Sequence, residues 1–401
     1  MKIVFFLTQD LSSPSGLGRY FPLAKELVKL GNEVKIIALH SNYKSIKETE
    51  LIIDGVSVKY IGQMQVLKVN NEKIYFPARK LLFIMMVALI KFIFFALFLN
   101  FDVLVVGKPH PMNGIAGVVA KYVRNKKIII DCDDFEAQSN RFQNKVQYAL
   151  IKFFEDRIPL IGDVVTTHTE FNKQRLLNLG LSSDKVKIIP NGVDRERFAQ
   201  VDLKEVENLR QELNLTGKRV IGFIGSISLK SHPINLLLEA CKLIIPRYPD
   251  LMIMCVGGGE DIGVVKGIAN ELDISKHLLM IGRINPDEIV LYYKLCYLTV
   301  DPVYDNATAK GRLPLKMFES WACDIPFVTS DVGDRKFYLS DPECGMLAMS
   351  DSPIELANKI EYILVNKDTK DRIIKNSRNR RKLFYWDVIV YDFLDGIKHE
   401  K

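Results

Sequence analysis

Two successive series of short β-branched apolar runs, separated by stretches of helical pattern, leave this chain very few folds. In the first series the runs fall at residues 3–7, 34–38, 103–106, 127–130, 164–167 and 186–189, with helical patterns at 19–30, 115–123 and 170–179. After Phe198 the rhythm restarts, with runs at 220–224, 251–256, 278–281, 298–300 and 327–329. These runs are apolar throughout rather than alternating, which marks strands of a parallel sheet covered by helices on both faces. Right-handed crossovers between such strands give two doubly wound domains. A length of 401 residues agrees, because it exceeds what one core ordinarily supports. The expected division is 1–198 and 199–385, with the linker in the polar stretch 198–203.

One segment breaks the rhythm. Residues 81–101 are apolar except for Lys91 and Asn100, and Arg79 and Lys80 precede them. The length suffices to cross a bilayer. A single crossing, however, would put the first strands and the 103–106 strand on opposite sides of the membrane, although both belong to one sheet. The alternatives are a helix buried in the core and a helix lying in the membrane interface. The interfacial reading is preferred: Lys91 snorkels and the basic start meets lipid phosphates. The composition, 48% hydrophobic with 26% charged residues, is that of a globular protein. A formal charge of +7 suits anionic substrates or lipid, while no arginine-rich tract or binding module points to nucleic acid. Six cysteines without a CxxC pair suggest free thiols in a reducing compartment. The amino-terminal run is read as the first strand rather than a signal peptide, and the expected location is the cytoplasmic face of a membrane.

Five loops carry chemistry. Pro14-Ser15-Gly16-Leu17-Gly18-Arg19 opens a helix, where backbone N–H groups and the helix dipole favour phosphate; it is not GxGxxG, since the sixth position from Gly16 is Phe21. Pro190-Asn191-Gly192-Val193-Asp194 is a turn after a strand. Gly222-Phe223-Ile224-Gly225-Ser226 ends a strand, and Lys230 is placed at the start of the next helix, where it would neutralise a diphosphate. Gly257-Gly258-Gly259 follows another strand. Finally, Gly311-Arg312-Leu313-Pro314-Leu315-Lys316-Met317-Phe318-Glu319 begins a helix at Pro314, so the amides near Leu315 and Lys316 are available to a phosphate, and Glu319 lies a turn further on. Read singly, each is equally an ordinary turn or a solvated side chain.

In this order the five loops resemble the retaining glycosyltransferases of family 4, over nearly the whole chain, through Asp324-Ile325-Pro326 and as far as Phe384-Tyr385-Trp386-Asp387. The resemblance implies the GT-B architecture: two doubly wound Rossmann-like domains facing a central cleft, with the last segment, 386–401, crossing back onto the first domain. It implies a nucleotide-sugar co-substrate, a UDP- or GDP-sugar, and no metal or other cofactor. Lys230 would meet the diphosphate together with Gly225 and Ser226, and Gly16 would approach it from the other domain. The backbone at Arg283 and Ile284 would meet the base, the amides of Leu315 and Lys316 the phosphate, and Glu319 the ribose. Lys230, Glu319 and Asp133 are the expected catalytic residues. Asp133 and His110 are placed on the side of the acceptor, a lipid-linked molecule or a polysaccharide. Three departures stand out: Gly311 replaces the first of the family's two glutamates, Ser226 replaces an arginine, and Asp133 stands where a histidine is common. A sugar-nucleotide epimerase of the same architecture and a non-catalytic scaffold remain alternatives.

Overall fold

The first apolar run becomes a central strand. In the computed structural model, which describes residues 1–69, 72–140, 142, 144–199 and 201–398, β1 (Lys2–Leu7) pairs in parallel with β2 (Glu33–His40) and with β7 (Val103–Gly107), so that Phe5 lies between Ile36 and Val105. Outward from β7 follow β8 (Lys127–Cys132), β9 (Val164–Thr167) and β10 (Val186–Ile188), all parallel. Outward from β2 come β4 (Val56–Gln63), parallel, and β3 (Glu50–Ile53), antiparallel to it. β5 (Val66–Val69) and β6 (Glu72–Tyr75) make a separate ribbon. β3 to β6 lie outside the apolar runs, although Asp54-Gly55, both at positive φ, is a hairpin signal between β-branched runs.

Alternate strand residues face one apolar core. Val4, Phe6, Leu104, Val106, Ile128 and Ile130 meet Ala88, Phe92 and Ala96 of α2 (Ala78–Phe98) and Met112, Ala116 and Ala120 of α3 (Pro111–Arg124). Phe154 of α5 (Lys145–Arg157) packs against the same cluster. Three helices therefore cover one face of this sheet side by side. The helix α1 (Phe21–Lys29) packs instead against the final helix, Trp386–Lys398. That helix is fastened by the Trp386 indole, which donates to the Gly18 carbonyl at 3.0 Å, and by Lys127, whose ammonium reaches the Ile397 carbonyl.

A second sheet has the order β13-β12-β11-β14-β15-β16, with every pair parallel. Its strands are β11 (Arg219–Ile224), β12 (Leu251–Val256), β13 (Leu278–Gly282), β14 (Leu298–Asp301), β15 (Phe327–Ser330) and β16 (Met346–Ala348). Ile221, Phe223, Ile253, Cys255, Val300 and Val328 form its core with the helices Ile234–Ile244 and Pro353–Val365.

The chain thus makes two compact units. Met1–Val69, Lys73–Gly192 and the final helix form one, and Val193–Tyr385 the body of the other. The chain passes between them at Gly192/Val193 and Tyr385/Trp386, and the Val193 N–H donates to the Phe384 carbonyl at 2.9 Å. The expected linker lies further on, at 198–203. Phe198 belongs to the short helix Arg195–Ala199 of the second unit and packs on Tyr293, while Asp202 caps the helix Leu203–Glu212. Its polar residues mark helix ends on a surface. Gln200 and residues 399–401 lie outside the described residues.

α2 differs from the expected 81–101 segment in register and in its lysine. Arg79 and Lys80 form its first turn instead of preceding it. Lys91 does not snorkel outward: its ammonium donates to the Ile61 carbonyl at 2.5 Å and lies 5.7 Å from the Tyr43 ring. A backbone acceptor on the adjacent strand satisfies the charge within the protein. The helix is not a core helix either. Leu82, Phe83, Met86, Ile90, Phe94 and Phe98 form an outward stripe, with Phe98 72% exposed.

Candidate active site

At the carboxyl ends of the second unit's strands, three loops gather where open α/β sheets bind ligands. Gly225 donates to the Val256 carbonyl at 2.9 Å, Ile227 to that of Gly258 at 3.1 Å, and Gly257 to that of Gly282 at 2.8 Å. Gly257 sits at φ 139°, and a Cβ there would lie 1.9 Å from the Gly225 oxygen, so only glycine lets these turns touch. The following turn is held by Leu229 N–H and Ser228 Oγ, which donate to Asp261 and Glu260, and by Arg312, which donates to the Ser231 carbonyl at 2.8 Å.

Beneath these loops lies a buried charge cluster. Asp301, the last residue of β14, is fully enclosed; Lys316 contacts it at 2.8 Å, Arg335 at 3.5 Å and His232 at 3.6 Å. Burial, and then the neighbouring Lys316 and Arg312, push the His232 imidazole down to about 3, so it is neutral at pH 7. The Asp301 carboxyl stays well below its usual range although burial opposes ionisation, because Lys316 and His232 favour the anion. Lys316 and Arg335 are both depressed, by burial and by the repulsion of Arg312. Arg335 donates through Nη1 to the Ala309 and Val332 carbonyls, but its buried Nε and Nη2 have no hydrogen-bond partner. Two cations, Lys316 and Arg335, therefore face one carboxylate, Arg312 lies 3.5 Å from the neutral His232 ring, and Arg335 Nε is left without an acceptor. Buried donors of this kind call for acceptor oxygens.

Of the sequence-named residues of this unit, Lys316 enters that cluster and Gly225 lies against it. Leu315 and Lys316 open the helix Leu315–Ala322 behind Pro314, as expected, and its free amides point from the dipole's positive end. The Lys316 side chain also enters the cluster: its ammonium lies 4.1 Å from the Phe223 ring, and a Cβ on Gly225 would approach it to 3.1 Å. Glu319, one turn on, is half-buried and accepts from the Tyr293 hydroxyl at 2.6 Å. Ser226 lies in the Gly225 turn, and Arg283 and Ile284 follow β13. Lys230 is exposed in the turn before the next helix rather than at its start, because Pro233 delays that helix to Ile234.

In the first unit the glycine loop is closed on itself. The Gly16 N–H donates to Ser13 Oγ at 3.2 Å, and a Cβ at Gly16 would lie 2.2 Å from the Asp10 oxygen. Close packing is what requires glycine there. Arg19 turns inward and grips Asp131 with two bonds of 2.8 and 2.7 Å, and it reaches Ile189 O and Asn191 Oδ1 at 3.0 and 3.1 Å. One guanidinium thereby ties the first loop to the second.

Asp133 and His110 meet around Lys108. The Lys108 ammonium lies 3.4 Å from Asp133, 3.1 Å from Asp134 and 2.5 Å from Glu136, and His110 lies 3.6 Å from Glu136. Lys108 holds a left-handed backbone, φ 55°, which Asn113 secures by donating to the Gly107 and Lys108 carbonyls. Burial, against the pull of Lys108, pushes the Asp133 carboxyl up to about 7. Oxygens of Asp133, Asp134 and Glu136 lie within 4.8 Å of one another, the spacing a metal ion needs. The lysine already stands among them as the cation. Sequence reasoning passed over Arg19, Lys108, Glu136, Asp301, Arg312 and Arg335 as site residues. Arg19 and Arg312 stood inside quoted motifs, but nothing local showed where their side chains turn.

Family models describe the two halves. "Glycosyltransferase Family 4" matches residues 16–197 and "Glycosyl transferases group 1" matches 205–380. A D-inositol 3-phosphate glycosyltransferase of Corynebacterium jeikeium is 23% identical over 243 residues, or 58% of this chain and 57% of that protein. The chain thus spans little more than half the length of that curated relative. Among solved structures, sucrose-phosphate synthase from Thermosynechococcus elongatus superposes with a TM-score of 0.76 at 17% identity, over 98% of this chain and 97% of that one. Anabaena HepE in complex with UDP-glucose gives 0.74 at 15% identity, over 99% and 100%. At these identities the structures speak for the fold.

Proposed function

Because the chain belongs to the family 4, group 1 glycosyltransferases of GT-B architecture, we propose that it moves a hexose-type sugar from a nucleotide-sugar donor, with retention, to a lipid-linked or glycan acceptor at the cytoplasmic face of a membrane. The observation that carries this reading is the excess of positive charge around Asp301: Lys316 and Arg335 on the carboxylate, Arg312 beside neutral His232, and a buried Arg335 Nε without an acceptor, at the start of the helix Leu315–Ala322. A pyrophosphate supplies the missing acceptors, and a helix N-terminus adds its dipole. The binding of UDP-glucose by a protein of the same fold is consistent with this donor class. Lys230, on the neighbouring turn, would meet the same diphosphate beside Gly225 and Ser226. Glu319 would accept from the ribose hydroxyls, held in orientation by Tyr293, and the backbone at Arg283 and Ile284 would take the base.

The reaction breaks the bond between the anomeric carbon and the phosphate oxygen and forms one to the acceptor oxygen. The acceptor's proton passes to the departing phosphate. The protein's share is positioning and stabilising the leaving charge, which needs no metal in this reading. Ionised Asp133, with Lys108 and His110 beside it, would hold a hydroxyl of the acceptor or the sugar. Gly16, whose N–H already binds Ser13, contributes shape rather than a free amide.

The membrane placement rests on α2. Its length and mean hydropathy of 2.8 are those of a spanning helix. Yet β1 pairs with both β2 before it and β7 after it, so a crossing would tear one sheet across the bilayer. A helix lying in the interface with its outward stripe in lipid satisfies both facts. The test of function is incubation with a panel of UDP- and GDP-sugars and extracted membrane lipids. Sugar transfer is expected. Epimer formation would move the assignment to the epimerases, and no consumption of any donor would move it to a scaffold.

A further inference from the structure

A second helix of the first unit exposes an apolar stripe that the proposed function leaves unused. On α5, Val146 is 76% exposed, Leu150 45% and Phe153 56%, at spacings of four and three that put them on one face. α2, α3 and α5 cover the same face of the sheet in sequence, α3 packing against both others. Between the two stripes α3 exposes Tyr122 and Val123. Charge is equally one-sided. The three helices hold eight Lys and Arg residues and two acids, Glu155 and Asp156. Glu155 is buried and Asp156 pairs with Lys152 and Arg175. Lys121 and Lys152 are paired with Asp163 and Asp156, yet cations still outnumber acids along these helices, and an apolar stripe so bordered fits an anionic bilayer surface; a protein partner would need neither the length of α2 nor this surplus of positive charge.

The buried face of α5 leads to the acceptor-side cluster. Glu155 accepts the N–H groups of Glu136 at 2.7 Å and Ala137 at 2.9 Å, the first turn of the short helix α4 (Glu136–Ser139). The side chain of Glu136 in turn contacts Lys108 at 2.5 Å, and Lys108 lies 3.4 Å from Asp133. A displacement of α5 therefore moves the peptide that carries Glu136.

We propose that α5 is a second membrane contact, and that seating it on an anionic bilayer steadies the Glu136–Lys108–Asp133 cluster through Glu155. The inference rests on the membrane placement proposed above, and it can be tested without any sugar transfer. The probe is vesicles of phosphatidylcholine and phosphatidylglycerol in equal amounts, compared with phosphatidylcholine alone. Flotation and amide hydrogen exchange are read for wild type, for Leu150→Glu/Phe153→Glu, and for Glu155→Gln. Wild type should float with the anionic vesicles, and the amides of Glu136 and Ala137 should exchange more slowly when bound. The α5 double variant should bind vesicles about tenfold more weakly or worse, as expected when two apolar anchors become charged. Glu155→Gln should float like wild type and lose the vesicle-dependent slowing. Three results overturn the proposal: a double variant that floats like wild type, exchange at 136–137 that ignores vesicles, or a chain that dimerises through this stripe and leaves vesicles alone. The donor panel judges the transferase reading separately, so the two fail independently.

Discussion

Arg19 illustrates how a residue visible in a motif can hide its role. Its partner Asp131 lies 112 positions away in β8, and no local pattern announces a pair between the helical turn Gly16–Tyr20 and that strand. Both are buried, so the guanidinium cannot be removed without stranding a carboxylate. Arg19→Ala should destabilise the first unit by about 3–5 kcal/mol, measured by denaturant unfolding; a loss under ~1 kcal/mol would mean the pair is not buried in solution. Asp133 carries a pH prediction. Its carboxyl is raised from 3.8 to about 7, chiefly by burial, so the fold favours the protonated form. The associated stability is complete below pH 3.8 and is lost as pH rises through about 7. Activity should run the opposite way if, as proposed, the ionised form holds a hydroxyl: the rate should climb through about pH 7, and Asp133→Asn should remove that limb. An unchanged profile in the variant removes Asp133 from the site. Lys230→Ala and Glu319→Ala should each lower turnover by about 100-fold at correct folding, since each would delete a charged contact in the proposed donor pocket. Near-normal rates would clear either residue of that role.

Elements were legible where one periodicity ruled. Apart from β4 and β16, the parallel strands of both sheets stand where the apolar runs put them, because strands buried on both faces cannot tolerate polar interruptions. The hairpin β3–β4 and the ribbon β5–β6 were passed over, since their residues are half-exposed and mix Lys and Glu with β-branched side chains. α2 was legible in its composition but not in the direction of Lys91, which a strand carbonyl decides. For α2 the expected outcome is loss of liposome flotation in Phe94→Glu/Phe98→Glu, both rings being on the outward stripe. A wild-type protein that stays lipid-free and monomeric without detergent would end the interfacial reading, and the lipid acceptor with it.

On the scale of the whole chain, the first unit is not a continuous piece of sequence. The last helix returns to the first unit, where Trp386, Ile389, Val390 and Phe393 are buried. Each such side chain contributes roughly 1.5–3 kcal/mol, so their sum rivals the ~5–15 kcal/mol stability of an ordinary domain. A chain ending at Tyr385 should therefore carry an unfolded first unit, seen as rapid proteolysis of residues 1–192 while 193–385 resists. The proposed donor cluster escaped the sequence for a similar reason: Asp301, Arg312, Lys316 and Arg335 come together only after strands from different crossovers are laid side by side. That cluster is also where the central claim is most exposed. Titration calorimetry with UDP and GDP should show one of them binding to the wild type. Arg335→Gln and Arg312→Gln should each weaken binding by about tenfold or more, the worth of a charge-assisted phosphate contact. If neither nucleotide binds, or both variants bind like wild type, the excess charge at Asp301 serves something other than a nucleotide-sugar.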